Sequence, residues 1–259
     1  MDKRTDAILE RIQTLFEDVL GENLAGGYVH GSLAFGCFTW ETGDIDLIII
    51  AREEPSHEQK KRIIAGIIEI EKDGPPKGIE MSVLLEKDCR SFRHPMPYVL
   101  HYSKGHTEQY LRDMDGHINR LHGTDRDLAA HFTVMRAVGY PLTGPAVREM
   151  FPEVQRQDYF ESIFYDIENA ASEIHENPVY MILNLCRVLA YAEDGSVLSK
   201  KSGGEWGKAN LPEAFASLAE RALECYGSGK NCVFDAGLLE RYADYMLENI
   251  RTAAGKAGK

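Results

Sequence analysis

The chain has 259 residues, 44% hydrophobic and 27% charged, with a formal net charge of −12. Those proportions belong to a folded chain of one or two domains with a sizeable core. An acidic surface repels nucleic-acid phosphates and attracts a cationic small molecule, and no uncharged apolar run is long enough to span a bilayer.

Met1 to Arg4 lead into an amphipathic segment and not into a signal peptide. Thr5 is the expected cap of a first helix reaching about Leu20, with Ile8, Leu9, Ile12, Leu15, Phe16 and Val19 as its apolar stripe. Glu22 to Gly27 turn the chain into the apolar pair Tyr28-Val29. A turn at Gly31-Ser32 follows, and then a strand from Asp44 to Ile50. Ser56 and Gln59 form a capping box for a helix to about Lys72 that buries Ile63, Ile64, Ile67, Ile68 and Ile70. Asp73-Gly74-Pro75-Pro76 breaks the chain before a strand from Gly78 to Leu85 that carries Glu80. Periodicity is weak from Arg93 to His122. Thr124-x-x-Asp127 then opens a helix ended by Gly139.

Pro141 to Pro152, punctuated by Gly144-Pro145, divides a domain of residues 1–150 from one of residues 151–259. The second reads as a helical bundle, with helices near Asp158–His175, Pro178–Ala192, Leu211–Tyr226 and Phe234–Thr252. Between them, Asp194 to Lys208 holds Gly195, Gly203, Gly204 and Gly207 and is expected to be a flexible loop around a ligand. Trp206 within it either stacks on that ligand or anchors the loop. The fold class is therefore α+β, a mixed sheet with flanking helices followed by helices alone, with a ligand in the cleft between.

Five cysteines (Cys37, Cys89, Cys186, Cys225, Cys232) lie scattered without a Cys-x-x-Cys pair. They fit a reducing cytoplasm and argue against a disulfide framework or a zinc ribbon. His94, His101, His106, His117 and His122 share one segment without metal-ligand spacing, so hydrogen-bonding or surface roles are expected.

The chemistry concentrates at Gly31-Ser32 and Asp44-Ile45-Asp46. Alternation along a strand turns Asp44 and Asp46 to one face and Ile45 to the core. Paired carboxylates repel, and a divalent cation relieves the repulsion. Magnesium suits them because it keeps positions for water and phosphate oxygens. Glycine admits a close backbone approach, and free N–H groups after such a turn make an anion nest. Glu80 adds a third acid among strand-forming residues, a candidate general base or a further metal ligand.

Gly31-Ser32 with Asp44-x-Asp46 resembles the signature of the nucleotidyltransferase superfamily, which includes the polymerase-beta-like enzymes. Glu80, Asp125-x-Asp127-Leu128-Ala129, Leu142-Thr143-Gly144-Pro145, Leu183-Asn184-Leu185-Cys186-Arg187 and Ser199-Lys200 extend the likeness. Together they resemble the aminoglycoside 3''/9-adenylyltransferases from about Val29 to Gly227. The resemblance implies a polymerase-beta-like N-terminal domain, magnesium on Asp44 and Asp46, Glu80 as base and ATP as cosubstrate. It implies nucleotide contacts from Gly31, Ser32, Arg187, Lys200 and Tyr226, with Lys201 the alternative to Lys200. The family's drug-binding tryptophan and two acids correspond to Gly105, Glu173 and Asn177, so the aromatic platform is missing and one acid is an amide. Glu173 and Glu176 still offer charge to a cationic drug. The expected enzyme is a cytoplasmic monomer that adenylylates an aminocyclitol or aminoglycoside, without nucleic-acid or membrane partners. A different small-molecule or protein acceptor, or a non-catalytic nucleotide-binding regulator, are the competing expectations.

Overall fold

The computed structural model describes residues 2–229 and 232–257. It divides into two compact units, Met1–Val154 and Gln155–Lys259.

In the first unit, α1 (Lys3–Leu20) leads into β1 (Leu24–Val29), and α2 (Gly31–Ala34) follows at once. Next come β2 (Ile45–Ala51), α3 (His57–Glu71), β3 (Ile79–Leu85) and α4 (Glu86–Arg90). β4 (Met96–Tyr98), β5 (Leu100–Tyr102), α5 (Thr107–Arg112), α6 (Met114–Arg120) and β6 (Gly123–Asp125) continue the chain. α7 (Leu128–Val138), β7 (Tyr140–Thr143) and α8 (Val147–Met150) close the unit.

Five strands pair in the order β5-β3-β2-β1-β7, and β4 pairs separately with β6. Only the β2–β3 contact within the larger sheet is parallel, which makes the sheet mixed, as expected. The parallel pair needs a crossover, and α3 supplies it. Ile45, Leu47 and Ile49 of β2, with Ile79, Met81 and Val83 of β3, bury against α1 and α3. The alternate residues Ile48, Ile50 and Leu84 turn to the other face and pack with Leu128, Phe132 and Met135 of α7. Asp46 and Glu80 belong to this second set, so strand alternation decides which face holds the acids.

Several boundaries correct the sequence expectations. Asp2, not Thr5, caps α1 by accepting from the backbone N–H of Arg4, while Thr5 is buried. The Ser56/Gln59 capping box forms in both directions. Gly31-Ser32 is the start of a one-turn helix and not an open turn. Thr124 lies in β6, paired with β4, so the following helix begins only at Leu128. The competing choice won because Thr is as good a strand residue as a cap.

The second unit is helical: α9 (Arg156–Tyr165), α10 (Ala170–Glu173), α11 (Pro178–Asp194), α12 (Lys200–Asn210), α13 (Glu213–Ser228) and α14 (Ala236–Ala257). The single helix expected over Asp158–His175 breaks after Tyr165 and resumes for one turn. α11 is the centre of the bundle, with Ile182, Leu183, Leu185, Cys186 and Ala190 fully buried.

The glycine-rich stretch is the largest correction, because most of it is α12. Ser199 caps this helix from the backbone N–H of Ser202. Gly203, Gly204 and Gly207 are its buried side. A Cβ at Gly203 would stand 2.5 Å from Arg187 Cγ and 3.3 Å from the Leu183 carbonyl oxygen. The glycines thus serve close helix approach, not flexibility. Gly203→Ala should lower stability by a net ~1–2 kcal/mol, because the clash outweighs the helix-propensity gain of about 1 kcal/mol. A shift in the urea midpoint checks this; an unchanged or higher midpoint contradicts it.

Cys225 and Cys232 form a disulfide at the end of α13, with Cα atoms 6.2 Å apart. One bridge is not a disulfide framework, but it joins two of the cysteines expected to lie scattered in a reducing cytoplasm. Gly229 in the αL conformation ends the helix, and Cys232 bonds back to the buried Cys225. Cys37, Cys89 and Cys186 are free. No helix among the described residues is long and apolar enough to cross a membrane.

Candidate active site

Asp44, Asp46 and Glu80 come together in the first unit, each offering a carboxylate oxygen within 4.8 Å of the other two. Asp44 immediately precedes β2, and Asp46 pairs in register with Glu80 across the parallel β2–β3 ladder. The backbone therefore sets the separation of two of the three acids. Among the described residues this is the one group of His, Cys, Asp or Glu side chains arranged to hold a metal ion.

Gly31 sits against the Asp46 carboxylate, and Ser32 follows it in α2. The backbone N–H of His30 donates to the Asp46 carbonyl at 3.1 Å, which ties the start of α2 to β2. Gly31 has φ +61°, and a Cβ there would land on the Asp46 carboxylate. Glycine is required on both counts. Gly31→Ala should cost about 1–3 kcal/mol of stability and, by displacing Asp46, lower kcat/KM about 10²-fold or more. Thermal unfolding and initial rates measured together check this; a variant with normal rates would mean that Asp46 tolerates the displacement. The Ser32 hydroxyl is buried with no hydrogen-bond partner among the described residues. A buried hydroxyl left unpaired is costly, and a ligand oxygen would satisfy it.

Burial pushes the Glu80 carboxyl above its ordinary range. The His131 imidazole draws it back, while Asp44, Asp127 and Asp125 push it further up. His131 projects from α7, and its ring lies 4.6 Å from that of His30. Burial, and then the charge of His131, hold His30 well below the usual histidine value, so its ring is neutral. Asp125 Oδ1 accepts from the Asp127 backbone N–H at 2.9 Å, which shapes the turn into α7.

Sequence reasoning gave Asp125 and Asp127 no part at this centre and passed over His131. A lone histidine in an amphipathic helix carries no signal. Only the packing of α7 on the sheet reveals its place.

The remaining predicted contacts lie in the second unit. Arg187 Nε donates to the Leu198 carbonyl at 2.9 Å and Nη1 to Asn184 Oδ1 at 2.8 Å, so its guanidinium is already oriented. Lys200 lies at the first turn of α12 with its ammonium 4.9 Å from the centre of the Tyr180 ring. Tyr180 and Arg187 are two turns apart on one side of α11, and that places Arg187 and Lys200 on a common side of this helix. Tyr226 is on α13, next to the disulfide-bonded Cys225. Glu173 ends α10 and Asn177 precedes α11; both are exposed, and the Asn177 N–H donates to the Glu173 carbonyl at 3.3 Å. Trp206 is part of α12 and not of a loop.

Residues 149–249 match the family model for the aminoglycoside adenylyltransferase C-terminal domain. An aminoglycoside (3'')(9) adenylyltransferase of Klebsiella pneumoniae is 22% identical over 265 residues, covering 97% of this chain and 99% of its own. A spectinomycin 9-adenylyltransferase of Enterococcus faecalis is 21% identical over 210 residues, covering 76% of this chain and 77% of its own. A crystal structure of an enterococcal spectinomycin adenyltransferase with ATP and spectinomycin shares the fold, with a TM-score of 0.78 at 18% identity. It covers 95% of this chain and 98% of that one. Residues 149–249 therefore carry the aminoglycoside adenylyltransferase C-terminal domain, and over nearly its whole length the chain is similar to aminoglycoside and spectinomycin adenylyltransferases, in agreement with the motifs first seen in the sequence.

Proposed function

We propose that the protein transfers AMP from ATP to a hydroxyl of an aminocyclitol or aminoglycoside, releasing pyrophosphate, with magnesium held by Asp44 and Asp46. The observation that carries this reading is the gathering of three carboxylates beside Gly31 and the unpartnered Ser32 hydroxyl. The donor set fits the metal: carboxylate oxygens at mutual contact range are hard ligands for a small divalent ion. Magnesium bound there would supply positive charge against the negative charge that builds on the phosphates.

The chain's own residues do the rest. Ser32 donates to a phosphate oxygen, and the close approach at Gly31 lets the backbone join it. Glu80 accepts the proton of the acceptor hydroxyl as its oxygen bonds to the α-phosphorus and the bond to pyrophosphate breaks. Burial raises its affinity for a proton, which favours that role. Arg187, Lys200 and Tyr226 contact the nucleotide, the two cations offsetting triphosphate charge. Arg187 has little rotamer freedom left to lose, since Leu198 and Asn184 already hold it.

Glu173 and Asn177 contact the acceptor, with spectinomycin-like aminocyclitols favoured because the aromatic platform is replaced by Gly105. The net charge of −12 supports a cationic acceptor and speaks against nucleic acid. The enzyme acts as a monomer in the cytoplasm, where its cosubstrate ATP is supplied.

Pyrophosphate release with ATP and magnesium across spectinomycin, streptomycin and other aminocyclitols tests the reading. Turnover that stops on chelation of the metal and returns on adding magnesium is expected. ATP binding without turnover on any of these acceptors would remove the antibiotic from the function.

A further inference from the structure

The face of β3 that carries Glu80 continues at Ser82. Ser82 pairs across the sheet with His101 of β5. The order β5-β3-β2 therefore puts Glu80 between the Asp44/Asp46 pair on one side and His101 on the other. Glu80 and His101 are diagonal neighbours in an antiparallel pair, a relation that spans about 7–8 Å.

The imidazole is held in place. Ser82 Oγ lies 3.1 Å from His101 Nδ1, and the Tyr110 hydroxyl donates to the His101 carbonyl. The rings of Tyr98 and His106 flank it at 6.1 and 5.6 Å. Nδ1 is thus engaged, and Nε2 is the ring's other polar atom. Burial, followed by the charge of His106, brings His101 down to about 4, so the ring is neutral at pH 7 and Nε2 can make one directional hydrogen bond. Asp125 acts electrostatically on both His101 and Glu80, which ties the two into one polar environment.

Building on the adenylyltransferase reading, we propose that His101 is an acceptor-binding residue whose Nε2 hydrogen-bonds a hydroxyl or amino group of the aminocyclitol beside the hydroxyl that Glu80 deprotonates. The base must touch the reacting hydroxyl. The side of Glu80 toward β2 belongs to the metal and the triphosphate. The acceptor ring extends to the other side, where Ser82 and, across from it, His101 follow along the face. An acceptor with neighbouring hydroxyl or amino substituents reaches Glu80 and His101 together, whereas one with an isolated hydroxyl reaches only the base.

The test is initial-rate kinetics on the full chain with spectinomycin and streptomycin, comparing His101→Leu and His101→Gln with the unchanged protein. Loss of one buried hydrogen bond predicts a rise of about tenfold in acceptor KM for His101→Leu. The KM for ATP should stay unchanged. Glutamine, which can place its amide nitrogen near the position of Nε2, should restore the acceptor KM to within about threefold. If the leucine variant fails to fold, Ser82→Ala replaces it, because loosening the ring should raise acceptor KM in the same selective way. Turnover with an unchanged acceptor KM in these variants overturns the role of His101 alone. A rise in the KM for ATP of equal size overturns it too, since the effect would then be structural. Absence of turnover in the unchanged protein with either drug overturns the reaction and this proposal together.

Discussion

Glu80→Gln should reduce kcat by about 10²–10⁴-fold, the range associated with loss of a general base, and leave ATP binding nearly intact. Glutamine keeps the shape of the side chain and its place on β3 beside Asp46. It cannot take the proton of the acceptor hydroxyl. The pH profile of kcat/KM should lose the acid limb that protonation of Glu80 gives the unchanged enzyme. Stability should move the other way. Burial raises the Glu80 carboxyl on folding, so its contribution to stability is present below its unfolded pKa and is lost as pH rises through the folded one. The variant, which never ionises, should escape that loss and melt at the same or a higher temperature at pH 8. A variant that keeps most of its kcat would show that another group serves as base.

Asp46→Asn should be at least as damaging, on the order of 10³-fold in kcat/KM, but with a different signature. Removing one charge from the acidic trio weakens the hold on a divalent ion, so activity should recover in part at high magnesium, whereas that of the Glu80 variant should not. The apparent magnesium affinity separates the two roles. Equal magnesium dependence in both variants would mean that Asp46 does not bind the ion. Asparagine also relieves repulsion with Asp44 and Glu80, whose nearest oxygens are within 4.8 Å. Without metal, that relief acts in favour of the variant's stability. This contrast is typical of sites that keep function at some cost in stability.

Much of this centre was legible in the sequence, for identifiable reasons. Asp46 and Glu80 each stand beside buried residues, Ile45 and Ile79, so period-two alternation reveals their face before any coordinates are seen. Gly31 was legible as a glycine needed for close approach, although the group that approaches it is the Asp46 carboxylate. The Ser56/Gln59 box was local and self-contained. What failed were features whose cause lies elsewhere in the chain. α12 reads as a loop because glycine disfavours helices, and only the need to pack on Leu183, Cys186 and Arg187 of α11 overrides that preference. Pairing of Cys225 with Cys232 depends on where α13 ends, which spacing alone does not specify. Asp125, Asp127, His131 and His101 reach the neighbourhood of Glu80 through the packing of α7 and the edge strand β5, and no short-range pattern announces either.

The in-register pairing of Asp46 and Glu80 has a consequence for how such a centre arises. Neighbouring strands lie about 4.8 Å apart in any sheet, fixed by the peptide hydrogen bond. Two acids that face the same way from adjacent registers therefore inherit a separation suited to sharing one small cation, whatever their sequence surroundings. The spacing is a property of the polymer. Mutation has only to supply the right side-chain types at two rungs of an existing ladder, and the walls around them are free to diverge toward new acceptors.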